Sequence, residues 1–171
     1  MILTKVLTIK KDIVLTIAQF AVLMVIATVV PILGHNQAIT GPIVNAVLLI
    51  SAVLLGPQGA VLVGLIPSVV ALSAGLLPLP LAPMVPFIMI SNTILILTFA
   101  CLRRKNFWLG IAAASALKFI FLVSTSTVVM NLIAKQEIAR KAALMMSWPQ
   151  FLTALGGGVI AYFLLKSLKK I

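Results

Sequence analysis

The sequence predicts an all-α integral membrane protein in which residues 1–171 form a single domain of six transmembrane helices. Of its residues, 63% are hydrophobic and 9% are charged, whereas soluble domains are about half apolar and about a quarter charged. The apolar residues form continuous runs near the length of about 20 residues that spans a bilayer. Because these runs do not alternate with polar residues, helices are expected and a membrane barrel is not.

Glycine, proline and polar residues separate the six apolar runs. "GHNQAITG" (34–41) breaks the first run, and Pro42 suits the first turn of the second helix. "GPQG" (56–59) predicts a tight turn before the third helix, in which Pro67 predicts a kink. The predicted spans are residues 13–33, 42–55, 59–76, 84–102, 107–133 and 149–168.

The distribution of lysine and arginine predicts that both termini are cytoplasmic. With the termini on one side, that side carries nine of these residues and the opposite side carries three, and cytoplasmic loops are enriched in them. The polar loop 34–41, the proline-rich segment 77–83 and the amphipathic segment 134–147 are then expected to face outward. Because membrane topology accounts for the net charge of +11, no nucleic acid partner is expected.

Lys118 lies near the middle of the fifth apolar run, where its charge is costly. Trp108 is expected at the inner interface, and helical rise places Lys118 about 15 Å further along the axis. A lysine at the centre of a membrane costs about 2.5–3.5 kcal/mol. The two acidic residues, Asp12 and Glu137, lie outside the predicted spans, so an internal salt bridge is not expected.

Three explanations for Lys118 remain open on the sequence alone. Its amine is kept neutral by removal from water, or it is solvated by amides, hydroxyls and water, with Asn92 and Ser115 as candidates. In the third explanation an anionic ligand supplies the missing charge, which predicts a substrate with a carboxylate or a phosphate. Ionisable groups inside a membrane are candidates for function.

Enzyme signatures are absent from the sequence. There is no P-loop, no H-E-x-x-H and no G-x-S-x-G motif, and the single histidine, His35, leaves few groups for acid–base chemistry. The chain is therefore not expected to be an enzyme, and no metal or cofactor is expected. A transport function would need energy from partner subunits.

Four segments share a pattern of spans and turn residues with a known family. They are "GPIVNAVLLISAVLLGPQGAVLVGLIPSVVAL", "LPLPLAPMVPFIMISNTILIL", "KFIFLV" and "ALMMSWPQFLTALGGGVIAYFLLK". The pattern resembles the substrate-binding S component of energy-coupling factor (ECF) transporters, and it covers nearly the whole chain from the first span onward. The resemblance implies six helices in a prokaryotic plasma membrane and capture of a vitamin or related micronutrient from outside. It also implies three partners, a membrane-embedded coupling subunit and two cytoplasmic ATPase subunits.

The resemblance further implies a pocket in the outer half, between the fourth, fifth and sixth spans and beneath loop 34–41. In such a pocket Lys118 would pair with an anionic group, amides would form hydrogen bonds and Trp148 would form a stacking wall. The expected substrate-binding residues are Lys118, Asn92, Gln150, Trp148, Asn45 and Asn36.

Members of this family commonly dock on the coupling subunit through a small-xxx-small alanine pair on the first span. Here Ala18, Ala21 and Ala27 are present, but none has an alanine four residues later. Ala18 and Ala21, three residues apart, can still form a flat docking patch. The alternative function is a non-transport scaffold or assembly subunit that binds partner helices and no small molecule.

Overall fold

The computed structural model describes residues 2–33, 37–75, 79–133 and 143–171, and these residues contain helices and no strand. The prediction of an all-α chain is confirmed. The helices are α1 (Ile2–Leu33), α2 (Gln37–Leu54), α3 (Gly56–Ser73), a 3₁₀ helix (Leu79–Met84), α4 (Val85–Leu102), α5 (Phe107–Ile133) and α6 (Trp148–Ser167).

Five of the described helical stretches are long and apolar enough to cross a membrane. They are Asp12–Leu33, Gln37–Leu54, Ala82–Leu102, Phe107–Val129 and Ala143–Ser167. The apolar part of α3, Gly56–Val70, is shorter. By length and composition the chain therefore fits a multi-pass membrane protein, while a sixth span and the orientation of the termini stay predictions.

Helix α2 begins at Gln37, earlier than the predicted start at Pro42. A proline inside a helix removes one backbone hydrogen bond and favours a helix boundary. Here contacts with α6 hold the extra turn in place, because Thr153 fills the space where a Cβ of Gly41 would stand, 2.8 Å away. Tertiary contacts thus override the local preference of the proline.

The turn between α2 and α3 is tighter than the predicted turn at 56–59. Leu55 alone separates the two helices, and Gly56 has a φ of 77°, a left-handed conformation that favours glycine. Pro57 then occupies the first turn of α3, where its missing N–H has no cost. Helix α3 continues through Pro67 to Ser73.

Helix α2 lies at the centre of the bundle. Its residues 45–52 are all buried, because α1, α3, α4 and α6 each contact it. By contrast, residues 12–18 of α1 are exposed. A side chain on the middle of α2 is therefore enclosed by protein, whatever surrounds the bundle, and this is where Asn45 lies.

Candidate functional site

The buried Lys118 side chain of α5 connects three helices. Only 3% of the residue is exposed, and its Nζ donates hydrogen bonds of 2.8 Å to Oδ1 of Asn45 on α2 and of 2.8 Å to Oδ1 of Asn92 on α4. Asn45 and Asn92 are also buried. The structure thus brings together three of the six predicted substrate-binding residues in what we call the lysine–asparagine cluster.

The cluster lies near the middle of α2 and α4. Asn45 comes eight residues after the start of α2, and Asn92 comes seven residues after the start of α4. These separations correspond to about 12 Å and about 10 Å of helical rise. Because Asn45 is also nine residues before the end of α2 and Asn92 ten residues before the end of α4, the cluster lies at a similar depth from both ends of the bundle.

Each asparagine amide is oriented by a second hydrogen bond. Nδ2 of Asn45 donates to the carbonyl of Gly41 at 3.0 Å and to Oγ1 of Thr153 at 3.4 Å. Nδ2 of Asn92 donates to the carbonyl of Gly64 on α3 at 3.1 Å. With both NH₂ groups engaged elsewhere, each Oδ1 faces the lysine, so the acceptors are preorganised by α2, α3 and α6.

Close approach of α6 to α2 encloses Asn45. A Cβ at Gly157 would lie 2.7 Å from Cβ of Asn45, 2.7 Å from the carbonyl oxygen of Pro42 and 2.8 Å from the nitrogen of Ala46. Two of these three atoms belong to the backbone and cannot turn aside. Glycine is thus required at this position, because small residues let two helices approach this closely.

The cluster satisfies the hydrogen bonds of Lys118 without neutralising a charge. Amide oxygens replace part of the water that burial removes, but an amide carries no net charge. An uncharged amine has two N–H groups and an ammonium has three, so these two bonds occupy both donors of the amine and leave one donor of the ammonium for a further acceptor. Solvation of Lys118 by amides, one of the three explanations from the sequence, therefore includes Asn45 as well as Asn92.

Ser115 adds an unused hydrogen-bonding group to the same face of α5. It lies three residues before Lys118, is fully buried, and its Oγ has no hydrogen-bond partner among the described residues. Other buried hydroxyls bond their own helix, as Ser51 Oγ does with the carbonyl of Val47 at 2.7 Å. Ser115 is therefore available to bind a polar group near the cluster.

The other predicted substrate-binding residues do not join the cluster. Trp148 is 64% exposed and lies against Phe119 and Phe151, with ring centroids 5.2 and 5.9 Å apart. Gln150 makes a long contact of 3.5 Å with the carbonyl of Met145. None of the described contacts joins either residue to Lys118, and Asn36 lies outside the described residues.

Thr153 and Gly64 accept hydrogen bonds from the two asparagines, and the sequence did not indicate either of them as a partner. The sequence places Thr153 on one helical face with Gln150 and Gly157, but local spacing does not indicate its partner Asn45 on α2. The predicted docking residues Ala18 and Ala21 are exposed on α1.

No group of three or more His, Cys, Asp or Glu side chains able to hold a metal occurs in the part of the chain that the structure describes.

Comparison with protein-family models, with curated proteins and with solved structures gives no match. The site is therefore assigned from its own chemistry.

Proposed function

We propose that this chain is the substrate-binding subunit of an ECF-type importer, which captures a vitamin or related micronutrient that carries an anionic group. The observation that carries the proposal is the buried Lys118, whose two described partners are neutral amides. The pattern of spans and turn residues that resembles the S components supports the same function. A membrane-embedded coupling subunit and two ATPase subunits would supply the energy.

The physical argument concerns charge. Hydrogen bonds to amides hold the amine in place but leave a protonated Lys118 with an uncompensated charge in a region of low dielectric constant. A carboxylate or phosphate that enters this region gains an attraction several times larger than it would in water. Helices α2 to α6 carry no acidic residue in their described ranges, so the ligand is the natural source of the counter-charge.

The proposal includes six spans with both termini in the cytoplasm of a prokaryotic cell. The first residues of α2 and α4 then lie on the outer side, and the two asparagines that bind Lys118 lie about 10–12 Å beneath them by helical rise. A substrate would reach the cluster from outside, and Ser115 offers it a further hydrogen bond. In this topology the exposed Ala18 and Ala21 lie in the first span, where a coupling subunit could dock.

Native mass spectrometry of the purified protein tests the proposal. We expect a small anionic molecule from the cell to remain bound to the wild type and to be lost from Lys118→Met. The matched control is Leu117→Ala, which changes the exposed neighbouring side chain on the same helix and should retain the molecule. A wild type that retains no small molecule and isolates without ATPase subunits would exclude the transporter function.

A scaffold or assembly subunit is the second candidate, and the exposure of α1 favours it. The large apolar side chains of Ile13, Val14 and Ile17 are each more than half exposed, at 54%, 66% and 62%, so α1 offers a long surface to another helix. A scaffold would isolate with membrane partners but without a small molecule or ATPase subunits.

A further inference from the structure

The ends of α4 and α6 and the start of α5 lie together and carry a concentrated positive charge. Phe107 of α5 contacts Phe99 of α4 and Tyr162 of α6, with ring centroids 5.2 and 5.5 Å apart. The acidic residues Asp12 and Glu137 belong to none of these three helices. The cations of this basic end are Arg103, Arg104, Lys105, Lys166, Lys169 and Lys170.

Arg103 is held against α5 and keeps an unused donor. Its backbone nitrogen lies only 3.1 Å from the point where a Cβ of Gly110 would stand, and its N–H donates to the carbonyl of Phe99 at 2.8 Å. The side-chain Nε is buried and has no hydrogen-bond partner among the described residues. Because a buried donor without an acceptor is costly, this guanidinium is suited to an oxygen from outside the chain.

The charges around Arg103 point to an anionic oxygen. Burial, and to a smaller extent the neighbouring Arg104, lower the pKa of Arg103 from its ordinary value. The guanidinium has therefore lost part of its water and lies beside a second cation. Arginine forms its strongest hydrogen bonds with carboxylates and phosphates, because its fork matches their geometry.

Aromatic rings place this basic end at the level of lipid headgroups. Trp108 lies against Tyr162 with ring centroids 4.7 Å apart, and Nζ of Lys166 lies 5.7 Å from the centre of the Tyr162 ring. Trp108 is 48% exposed and Leu109 is 53% exposed. Tryptophan and tyrosine are enriched where the hydrocarbon meets the headgroups, so the cations around them lie near the lipid phosphates.

We propose that the basic end binds the headgroup of an anionic phospholipid, whose phosphate oxygen accepts a hydrogen bond from Arg103 while its acyl chains lie against Trp108 and Leu109. Clusters of basic residues at the ends of membrane helices recognise anionic headgroups in this way. A zwitterionic lipid carries its own cation, which the surrounding lysines and arginines repel. The site is independent of the lysine–asparagine cluster and of the transport function.

The fluorescence of Trp108, and its quenching by brominated lipid, reports on the lipid beside this residue. The variant Trp148→Phe first removes the other of the two tryptophans. The protein is reconstituted into phosphatidylcholine bilayers in which a fixed fraction of either phosphatidylglycerol or phosphatidylcholine is brominated on its acyl chains. Because each nearby cation favours an anionic lipid by a factor of about five, we expect brominated phosphatidylglycerol to bind beside Trp108 at least that much more tightly.

Three variants and a competitor distinguish a specific site from non-specific electrostatic attraction. Arg103→Gln should remove most of the preference, whereas Arg104→Gln, which loses the same charge from an exposed side chain, should keep most of it. Arg103→Lys, which keeps the charge without Nε, should be intermediate. Inorganic phosphate in the buffer should leave the preference unchanged.

Three results would overturn the proposal. The first is equal quenching by the two brominated lipids, which would mean that the headgroup is not distinguished. The second is an equal loss of preference in Arg103→Gln and Arg104→Gln, which would reduce the effect to net charge. The third is loss of the preference on adding inorganic phosphate, which would identify free phosphate as the ligand.

Discussion

Replacing Lys118 by methionine should destabilise the protein, and removing its two partners as well should restore most of the stability. In Lys118→Met, Oδ1 of Asn45 and Oδ1 of Asn92 both lose the donor that lies 2.8 Å away. An unsatisfied buried polar group costs about 1–3 kcal/mol, so two of them predict a loss of about 2–6 kcal/mol in the free energy of unfolding.

The triple variant Lys118→Met, Asn45→Leu, Asn92→Leu replaces the whole cluster with apolar side chains of similar size. No unsatisfied acceptor then remains in the cluster, and replacing both partners of a buried polar pair is often nearly neutral. The carbonyls of Gly41 and Gly64 and Oγ1 of Thr153 each lose a side-chain donor in this variant. The two carbonyls lie within α2 and α3 and keep their helical partners, and Oγ1 of Thr153 still donates to the carbonyl of Gln150. We therefore expect the triple variant to be more stable than the single variant.

Unfolding in mixed micelles with increasing sodium dodecyl sulfate, followed by circular dichroism, measures these differences. We expect the free energy of unfolding to be clearly lowest for Lys118→Met and higher for both the wild type and the triple variant. Leu117→Ala serves as the control for a change at an exposed position of α5. If Lys118→Met is as stable as the triple variant, the two asparagine oxygens do not need the lysine as a hydrogen-bond donor. The described hydrogen bonds of the cluster would then not contribute to stability.

Three further predictions concern single residues. Gly157→Ala should lower stability by at least about 1–3 kcal/mol through overpacking, while Gly156→Ala, whose Cβ would meet Pro42 no closer than 3.6 Å, should be nearly neutral; thermal unfolding in detergent compares them. Asn92→Asp places a carboxylate beside Lys118, with loss of the Nδ2 donor to the carbonyl of Gly64, and should weaken binding of the anionic substrate at least tenfold, about 1.4 kcal/mol; unchanged affinity by calorimetry would contradict the charge argument. Asn106→Ala removes the Oδ1 acceptor of the Leu109 N–H, 3.0 Å away, and should cost about 1 kcal/mol in unfolding free energy; no measurable change would show that this cap contributes nothing.

The positions of most helices followed from the sequence because apolar run length is a direct physical requirement of a bilayer. The bounds of α4 and α5 match their predicted spans within a residue, since the proline-rich segment 77–83 precedes α4 and the polar "RRKN" (103–106) separates α4 from α5. The start of α2 could not be predicted from the sequence. The preference of Pro42 for the first turn of a helix is outweighed there by contacts with residues of α6, which lie more than a hundred residues away in the chain. The shorter apolar length of α3 keeps the sixth span a prediction.

The candidate site followed only in part, for a reason that is specific to membrane helices. When every face of a helix is apolar, hydrophobic periodicity does not tell which face points inward, so Trp148 and Gln150 could not be distinguished from Asn45 and Asn92. The cost of a buried amine did indicate that Lys118 needs partners. Their identity depends on the separations of 73 and 26 residues that link Lys118 to the asparagines, which local patterns do not contain.

The most direct test of the central claim compares the molecules retained by the wild type and by the triple variant, which lacks the amine and which we expect to keep the fold. Both proteins are isolated from the same cells under the same conditions and analysed by native mass spectrometry. We predict a small molecule with a carboxylate or phosphate in the wild type and none in the triple variant. The same molecule at the same occupancy in both would contradict the assignment of Lys118 as the partner of the substrate anion.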